Sequence, residues 1–220
     1  MDDNYTQKIN IGARILDSAR GNLYLAMRFM DIALCAFAYK PDEGRQMAGT
    51  DGNVIYYCPD YVMDRYEAGR GYADRLYLHM TLHCIYRHIF RISNRKVRLW
   101  NLACDIAVEH VIDGLPYGCV RMRIPAVRDL CYRKISEYTS ILNADLIYKY
   151  LENNPMDEDT LKAWENEFLV DDHTYWYRED KNSRSNMKNE QKWDDISRKM
   201  QTSMETIEKG IGHDDKNLYD

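Results

Sequence analysis

The 220-residue sequence lacks several features that would assign it to a class of protein. Its six cysteines form no CxxC pair, and most have apolar neighbours, as reduced and buried thiols do. The longest apolar run, residues 23–39, is interrupted by Arg28 and Asp31 and is a poor candidate for a membrane span. The N-terminal segment MDDNYTQKIN lacks the basic and apolar pattern of a secretory signal. These absences predict a cytoplasmic protein without a membrane partner.

The sequence also lacks an excess of positive charge. The formal net charge is −5, and lysine and arginine are scattered along the chain rather than clustered. A protein that binds nucleic acid needs a basic surface to neutralise phosphates. We therefore expect no nucleic-acid partner.

The apolar residues recur mostly at helical spacing, which predicts a mainly α-helical fold. Helical patterns cover residues 5–39, with Gly21 as a possible break, and residues 61–68, 72–91 and 96–113. The period changes in MAGTDGNVIYYCPDYV, where Asp51-Gly52 is a turn dipeptide, residues 54–57 favour a strand and Pro59 ends it. The fold class predicted is therefore mainly α with a small β-hairpin.

One domain is expected, divided as follows. A helical domain covers residues 1–177, and a mobile polar loop covers residues 178–192, where large apolar residues are nearly absent. A C-terminal helix of the same domain covers residues 193–209, and residues 210–220 form a flexible tail.

The segment HMTLHCIYRH, residues 79–88, places two histidines four residues apart in a predicted helix. Residues at this spacing lie about 40° apart on the helix surface, so His79 and His83 can bind one metal ion through their imidazoles. His88 lies about 180° from His79 and reaches such a site only if the helix ends before it. We interpret His88 as a polar cap or a core histidine.

The next helical pattern, RLWNLACDIAVEHVID, supplies candidate carboxylates. Asn101, Asp105 and Glu109 fall on one face of this helix, among apolar residues. Because buried carboxylates are costly without a cation, and two histidines with one carboxylate form a common zinc set, Asp105 is the predicted third ligand. The residues leave two alternatives open: core histidines hydrogen-bonded to Asp105 and Glu109, or a site for two metals.

Five segments, in chain order, carry a resemblance to a known family: AGTDGNVIYYCPDYV, LHMTLHCIYRHIFR, LWNLACDIAVEHVID, NADLIYKYLE and DDHTYW. They resemble the metallopeptidase domain found at the N-terminus of bacterial proteins that carry a von Willebrand factor A-like domain behind it. The resemblance covers most of the chain. It implies a zincin-like helical domain whose strand at residues 54–57 runs beside the metal helix, where a substrate strand can pair with it.

The resemblance also implies roles for single residues. His79, His83 and Asp105 match the metal ligands of the family, with zinc as the expected ion. His173, in DDHTYW, is implied as a catalytic residue that approaches the open coordination position and stabilises a developing oxyanion, with a helix-end cap as the alternative.

The family's genomic neighbourhood implies an AAA-type ATPase partner. No DxSxS stretch for a von Willebrand factor A-like metal site occurs, so a truncated or short relative is expected.

The sequence departs from the HExxH pattern at Met80, which stands in place of the glutamate. That glutamate takes a proton from the attacking water and passes it to the leaving amine, a contribution of about 10² to 10⁴ in rate. Methionine cannot accept a proton, so we expect a metallopeptidase-like domain whose peptide hydrolysis is weakened or lost. The alternatives are a non-catalytic peptide- or protein-binding scaffold that works with an AAA-type ATPase, and a helical domain without a site.

Overall fold

The computed structural model describes residues 3–92, 94–177 and 183–214, and in the last range the side chains of residues 185–207. The described elements are helices and three short strands: α1 (Asp3–Ala26), α2 (Asp31–Leu34), β1 (Ala38–Pro41), β2 (Ala48–Thr50), β3 (Val54–Tyr57), α3 (Pro59–Ala68), α4 (Arg70–Ile85), α5 (Val97–Gly114), α6 (Ala126–Tyr138), α7 (Ala144–Asn153), α8 (Glu158–Phe168) and α9 (Ser183–Asp214). Short 3₁₀ turns lie at Arg28–Met30, His88–Phe90 and His173–Tyr177. The predicted fold class, mainly α with a small β element, is confirmed.

Helix α4 is the central element of the core. Every residue from Ala73 to Cys84 is buried, and α1, α3, α5 and α9 all pack against this helix. The helix ends at Ile85 because Arg87 adopts a left-handed conformation with φ of 61°, and the 3₁₀ turn at His88 follows. The sequence pattern had predicted that the helix continues to residue 91.

Strands β2 and β3 form the predicted hairpin, in which Ala48 pairs with Tyr57. The turn is stabilised by Asp51, whose Oδ1 accepts hydrogen bonds from the backbone N–H groups of Asn53 and Val54, both at 2.9 Å. Gly52 has φ of +89°, a conformation that favours glycine.

Strand β1 was not predicted, since the helical spacing of the sequence continues to residue 39. It pairs in parallel with β3, so the sheet order is β1-β3-β2 and β3 is the central strand. Both edges of β3 are therefore occupied, and the implied pairing of a substrate strand with residues 54–57 is wrong.

The prediction of a polar loop at 178–192 is wrong for residues 183–192, which belong to α9, whereas residues 178–182 lie outside the described ones. Polar contacts replace apolar packing here: the Asn189 amide donates to the Asp51 carbonyl at 2.9 Å, and Trp193 Nε1 donates to the Gly52 carbonyl at 2.8 Å. Helix α9 also extends to Asp214, so the prediction of a flexible tail is wrong for residues 210–214. Residues 215–220 lie outside the described ones.

A helix that spans a bilayer needs about 20 predominantly apolar residues. Within the described ranges, no helix combines sufficient length with sufficient apolar character to cross a membrane.

Candidate metal centre

Five buried side chains from three parts of the chain converge beside α4. Helix α4 presents His79 and His83 one turn apart, and α5 presents Asp105. Asp171 comes from the segment between α8 and the following 3₁₀ turn, and His173 is the first residue of that turn. One donor atom of each residue lies within 4.8 Å of all the others. We call these five residues the metal cluster.

The separations between the donor atoms are short. The Nε2 atoms of His79 and His83 are 2.8 Å apart. Oδ1 of Asp105 lies 3.4 Å, 3.3 Å and 3.0 Å from the Nε2 atoms of His79, His83 and His173. Oδ1 of Asp171 lies 3.3 Å from His79 Nε2 and 2.9 Å from His173 Nε2.

Several of these atoms lack a hydrogen-bond partner although they are fully buried. They are Asp105 Oδ1, both carboxylate oxygens of Asp171 and Nε2 of His173. Buried polar atoms are normally hydrogen-bonded, and a buried carboxylate without a partner is costly. A cation bound between three imidazoles and two carboxylates would satisfy all four atoms, so the residues present fit a divalent metal.

Strand β2 fixes the position of the segment that contains Asp171 and His173. The backbone N–H of Asp172 donates to the Ala48 carbonyl at 2.7 Å. A Cβ atom at Gly49 would lie 2.2 Å from the Asp172 carbonyl oxygen, so any larger residue would displace the segment. The absence of a side chain at Gly49 therefore allows these two donors to approach α4.

Glu109 fixes the orientation of the His79 ring by contacting its Nδ1 atom. Its Oε1 lies 2.8 Å from Nδ1 of His79, which leaves Nε2 of that ring directed at the cluster. Its Oε2 accepts short hydrogen bonds from Arg75 and Arg128. Glu109 therefore fixes a candidate ligand and does not face the position where the five donors converge.

The same two arginines also bind Asp113, one turn after Glu109. Oδ1 of Asp113 accepts from Arg75 at 2.8 Å, and Oδ2 accepts from Arg128 at 3.3 Å and from the Tyr132 hydroxyl at 2.9 Å. Arg75, Glu109, Asp113, Arg128 and Tyr132 form what we call the arginine network.

The other two imidazoles also have neighbours that fix their orientation. Nδ1 of His83 lies 3.0 Å from Nδ1 of His88, which reaches this position because α4 ends before it. The His173 ring stacks on Trp176 with centroids 3.6 Å apart and an angle of 18° between the planes. Each imidazole of the metal cluster is thus oriented before any ion binds.

Proximity of opposite charges determines the protonation of the cluster. Burial disfavours charge on His79, but the nearby carboxylates of Asp105, Asp171 and Glu109 raise its pKa well above the usual value. Burial likewise opposes charge on His173, whereas the two aspartates raise its pKa to about 9. By contrast, burial and the charge of His79 lower the pKa of His83 to about 4.

The carboxylates shift in the opposite direction. Burial alone would raise the pKa values of Asp105 and Asp171, but the neighbouring charge of His173 lowers both. Burial opposes the ionised form of Glu109 as well, yet His79 and the two arginines lower its pKa to about 2. All three carboxylates are therefore ionised at neutral pH.

A cavity of about 450 Å³ leads from the surface to the cluster. Asp105, Asp171 and His173 form part of its wall, beside side chains that include Val97, Asn101, Leu102, Glu165, Leu169 and Tyr177. The Asn101 side chain accepts a hydrogen bond from the Tyr177 hydroxyl instead of joining the cluster. A volume of this size is in the range of small-ligand sites.

The structure brings together the three predicted ligands, His79, His83 and Asp105, and adds His173 as a donor of the same group. Asp171 was missed, although it lies two residues before His173 in the quoted segment DDHTYW. Of the predicted alternatives, the hydrogen bond between His79 and Glu109 is present. It involves Nδ1 of His79, whereas Nε2 of the same ring belongs to the group of five donors. Met80 is completely buried within the hydrophobic core.

Comparison with known proteins gives one positive result. Neither a curated protein nor a solved structure matches the chain. A family model described as "Putative metallopeptidase domain" matches residues 13–215, and so includes α4, α5 and every residue of the metal cluster. The chain therefore belongs to this metallopeptidase domain family.

Proposed function

We propose that this chain is a metal-binding metallopeptidase-like domain in which the metal cluster holds a divalent ion. The observation that carries the proposal is the convergence of five buried donors within 4.8 Å, four of whose atoms have no hydrogen-bond partner. An ion bound there would act as a Lewis acid toward a carbonyl or other polar oxygen.

Among the described residues, only one side of the metal cluster would be open to a substrate. The cavity beside Asp105, Asp171 and His173 reaches the cluster, whereas Glu109 and His88 cover the rings of His79 and His83 from behind. Apolar side chains such as Val97, Leu102 and Leu169 would contact an extended peptide and exclude water. His173 lines the cavity and belongs to the cluster. Its position is therefore compatible both with metal binding and with the predicted stabilisation of an oxyanion.

We further propose that peptide hydrolysis by this domain is weak or absent. A hydrolase of this type needs a base near the attacking water. Met80, at the position of the HExxH glutamate, cannot accept a proton. Glu109 is engaged by His79 and two arginines, and its lowered pKa makes it a poor proton acceptor at neutral pH.

A pair of variants tests this part of the proposal. Met80→Glu introduces a carboxylate, whereas Met80→Gln introduces a side chain of similar size that is not a base. We expect Met80→Glu, loaded with metal, to hydrolyse a casein or mixed-peptide substrate about 10² to 10⁴ times faster than Met80→Gln and the wild type. Wild-type hydrolysis at the rate expected for Met80→Glu, and lost in His79→Ala, would contradict the proposal.

Zinc is the ion that the two-histidine motif predicts, and we retain it as the first ion to be tried. Three imidazoles with two carboxylates suit zinc, iron and manganese. Metal analysis of freshly purified protein, before any metal is added, identifies the resident ion.

The second candidate function is a scaffold that holds a peptide or protein and works with an AAA-type ATPase. The cavity of about 450 Å³ is compatible with binding without cleavage. The ATPase partnership is a prediction from the family resemblance. A co-purified ATPase that binds equally well before and after chelation would favour the scaffold over a metal-dependent function.

A further inference from the structure

The metal cluster contains more donors than a typical zinc site uses. Structural zinc is bound by four ligands, and catalytic zinc by three protein ligands with one position open. Here three imidazole nitrogens and two carboxylates converge, all of them buried. Either one or two of the five stay unbound, or the ion has a higher coordination number.

The distances between the donor atoms agree with higher coordination. Six donor separations lie between 2.8 Å and 3.4 Å, and all of the separations are at most 4.8 Å. In an octahedral site with bonds of about 2.1 Å, adjacent ligands are about 3 Å apart and opposite ligands about 4.2 Å. Five donors therefore fit around one centre with a single position left.

Among the described residues, no side chain outside the cluster contacts one of the five donor atoms and keeps it away from the ion. Glu109 and His88 contact the Nδ1 atoms of His79 and His83, so their Nε2 atoms remain directed at the cluster. The donor oxygens of Asp105 and Asp171 and Nε2 of His173 have no hydrogen-bond partner. An ion with four protein ligands would leave one of the five buried donors unbound.

We propose that all five side chains bind one divalent ion at once, which makes this a site for a metal with five or six ligands, of the class of Mn²⁺ or Fe²⁺. The inference rests on the proposed function, because it assumes that the cluster binds metal. The remaining position would face the cavity, whose wall contains Asp105, Asp171 and His173. A substrate oxygen or a water could occupy it.

Affinity alone does not test this proposal. Zn²⁺ binds most nitrogen and oxygen sites more tightly than Mn²⁺ or Fe²⁺, whatever the geometry. The test must count ligands. The metal-free full chain is loaded separately with Mn²⁺, Co²⁺ and Zn²⁺, and X-ray absorption measures the number of nitrogen and oxygen ligands. Visible spectra of the Co²⁺ form distinguish four-coordinate cobalt, which absorbs strongly, from higher-coordinate cobalt, which absorbs weakly.

We expect five or six ligands, a weak cobalt spectrum, and retention of about one equivalent of Mn²⁺ after gel filtration. Asp171→Ala should weaken Mn²⁺ binding by about 10- to 100-fold and change the cobalt spectrum. The matched control is Glu165→Ala, which removes a carboxylate that lines the same cavity outside the cluster. Circular dichroism of each variant checks that it folds, and the wild-type spectrum tests the proposal without any variant.

Two results would overturn the inference in different ways. A strong, four-coordinate cobalt spectrum that is the same in Asp171→Ala and wild type would refute five-ligand binding and leave the proposed function standing. Failure of all three ions to bind the folded wild type would remove the proposed function, and this inference with it.

Discussion

The metal cluster and the arginine network are adjacent groups of buried charge, and both involve α4 and α5. They differ in how the buried carboxylates are stabilised. In the arginine network, every carboxylate oxygen of Glu109 and Asp113 has a partner among the described side chains. In the metal cluster, three carboxylate oxygens and one imidazole nitrogen have none. The carboxylates of one group are fully hydrogen-bonded by the chain itself, whereas the other group is suited to an ion from outside.

Glu109 joins the two groups, so its removal should have the largest effect on folding. In Glu109→Ala, the buried guanidinium groups of Arg75 and Arg128 lose one of the two carboxylates that they share and retain the other, Asp113. We expect the free energy of unfolding of metal-free protein to fall by about 3–5 kcal/mol, measured by urea denaturation. Glu158→Ala, at the exposed pair with Arg98, is the control and should have no measurable effect. A loss below 1 kcal/mol for Glu109→Ala would indicate that the network is not a stabilising unit.

Metal addition should stabilise the protein by binding to the metal cluster. At a free ion concentration of 100 times Kd, binding to the folded chain alone raises the free energy of unfolding by about 2.7 kcal/mol. His173→Ala should lose most of this gain, and His110→Ala, which changes a histidine outside the cluster, should retain it. Equal gains in both variants would show that the ion binds elsewhere. Thermal unfolding with and without metal measures the difference.

His88 is expected to affect metal binding more than folding, because it contacts the cluster only through His83. His88→Ala frees the His83 ring to rotate, and we expect metal affinity to fall by about 10- to 100-fold. Tyr86→Phe, which keeps the ring beside His88, serves as the control. Unchanged affinity in His88→Ala, measured by titration calorimetry, would mean that packing alone orients His83.

The metal affinity of the cluster should also depend on pH, and this effect is expected to be smaller. In the metal-free chain, burial opposes charge on His173, but Asp105 and Asp171 raise its pKa to about 9, so the ring carries a proton at pH 7. A metal must displace that proton, and also the proton that the raised pKa places on His79, so its affinity should rise with pH at least up to about 9. The slope should approach tenfold per pH unit for each displaced proton. Calorimetry in buffers of different ionisation enthalpy counts the protons released, and a count of zero would contradict this.

Local sequence patterns predicted much of the helical fold and part of the site. The helical spacing predicted most of α3, α4 and α5. The spacing of His79 and His83 and the position of Asp105 on the next helix were sufficient to predict that these three would meet. The helical patterns depend on residues within one or two turns of each other.

Long-range contacts account for what the sequence did not predict. Strand β1 exists because it pairs with β3, and its own residues continue a helical pattern. Asp171 reaches the cluster because its segment lies against β2 at Gly49, which no local pattern indicates. Residues 183–192 form a helix through polar contacts with the hairpin turn, where low hydrophobicity had suggested a loop.

The central claim is that the metal cluster binds a divalent ion, and the metal content of the folded chain tests it most directly. Wild-type protein and His79→Ala are purified side by side, incubated with Zn²⁺ or Mn²⁺, passed through gel filtration and analysed by mass spectrometry for bound metal. We predict about one equivalent per wild-type chain and almost none in His79→Ala. Less than a tenth of an equivalent in folded wild type after both incubations, or equal amounts in the two proteins, would contradict the claim.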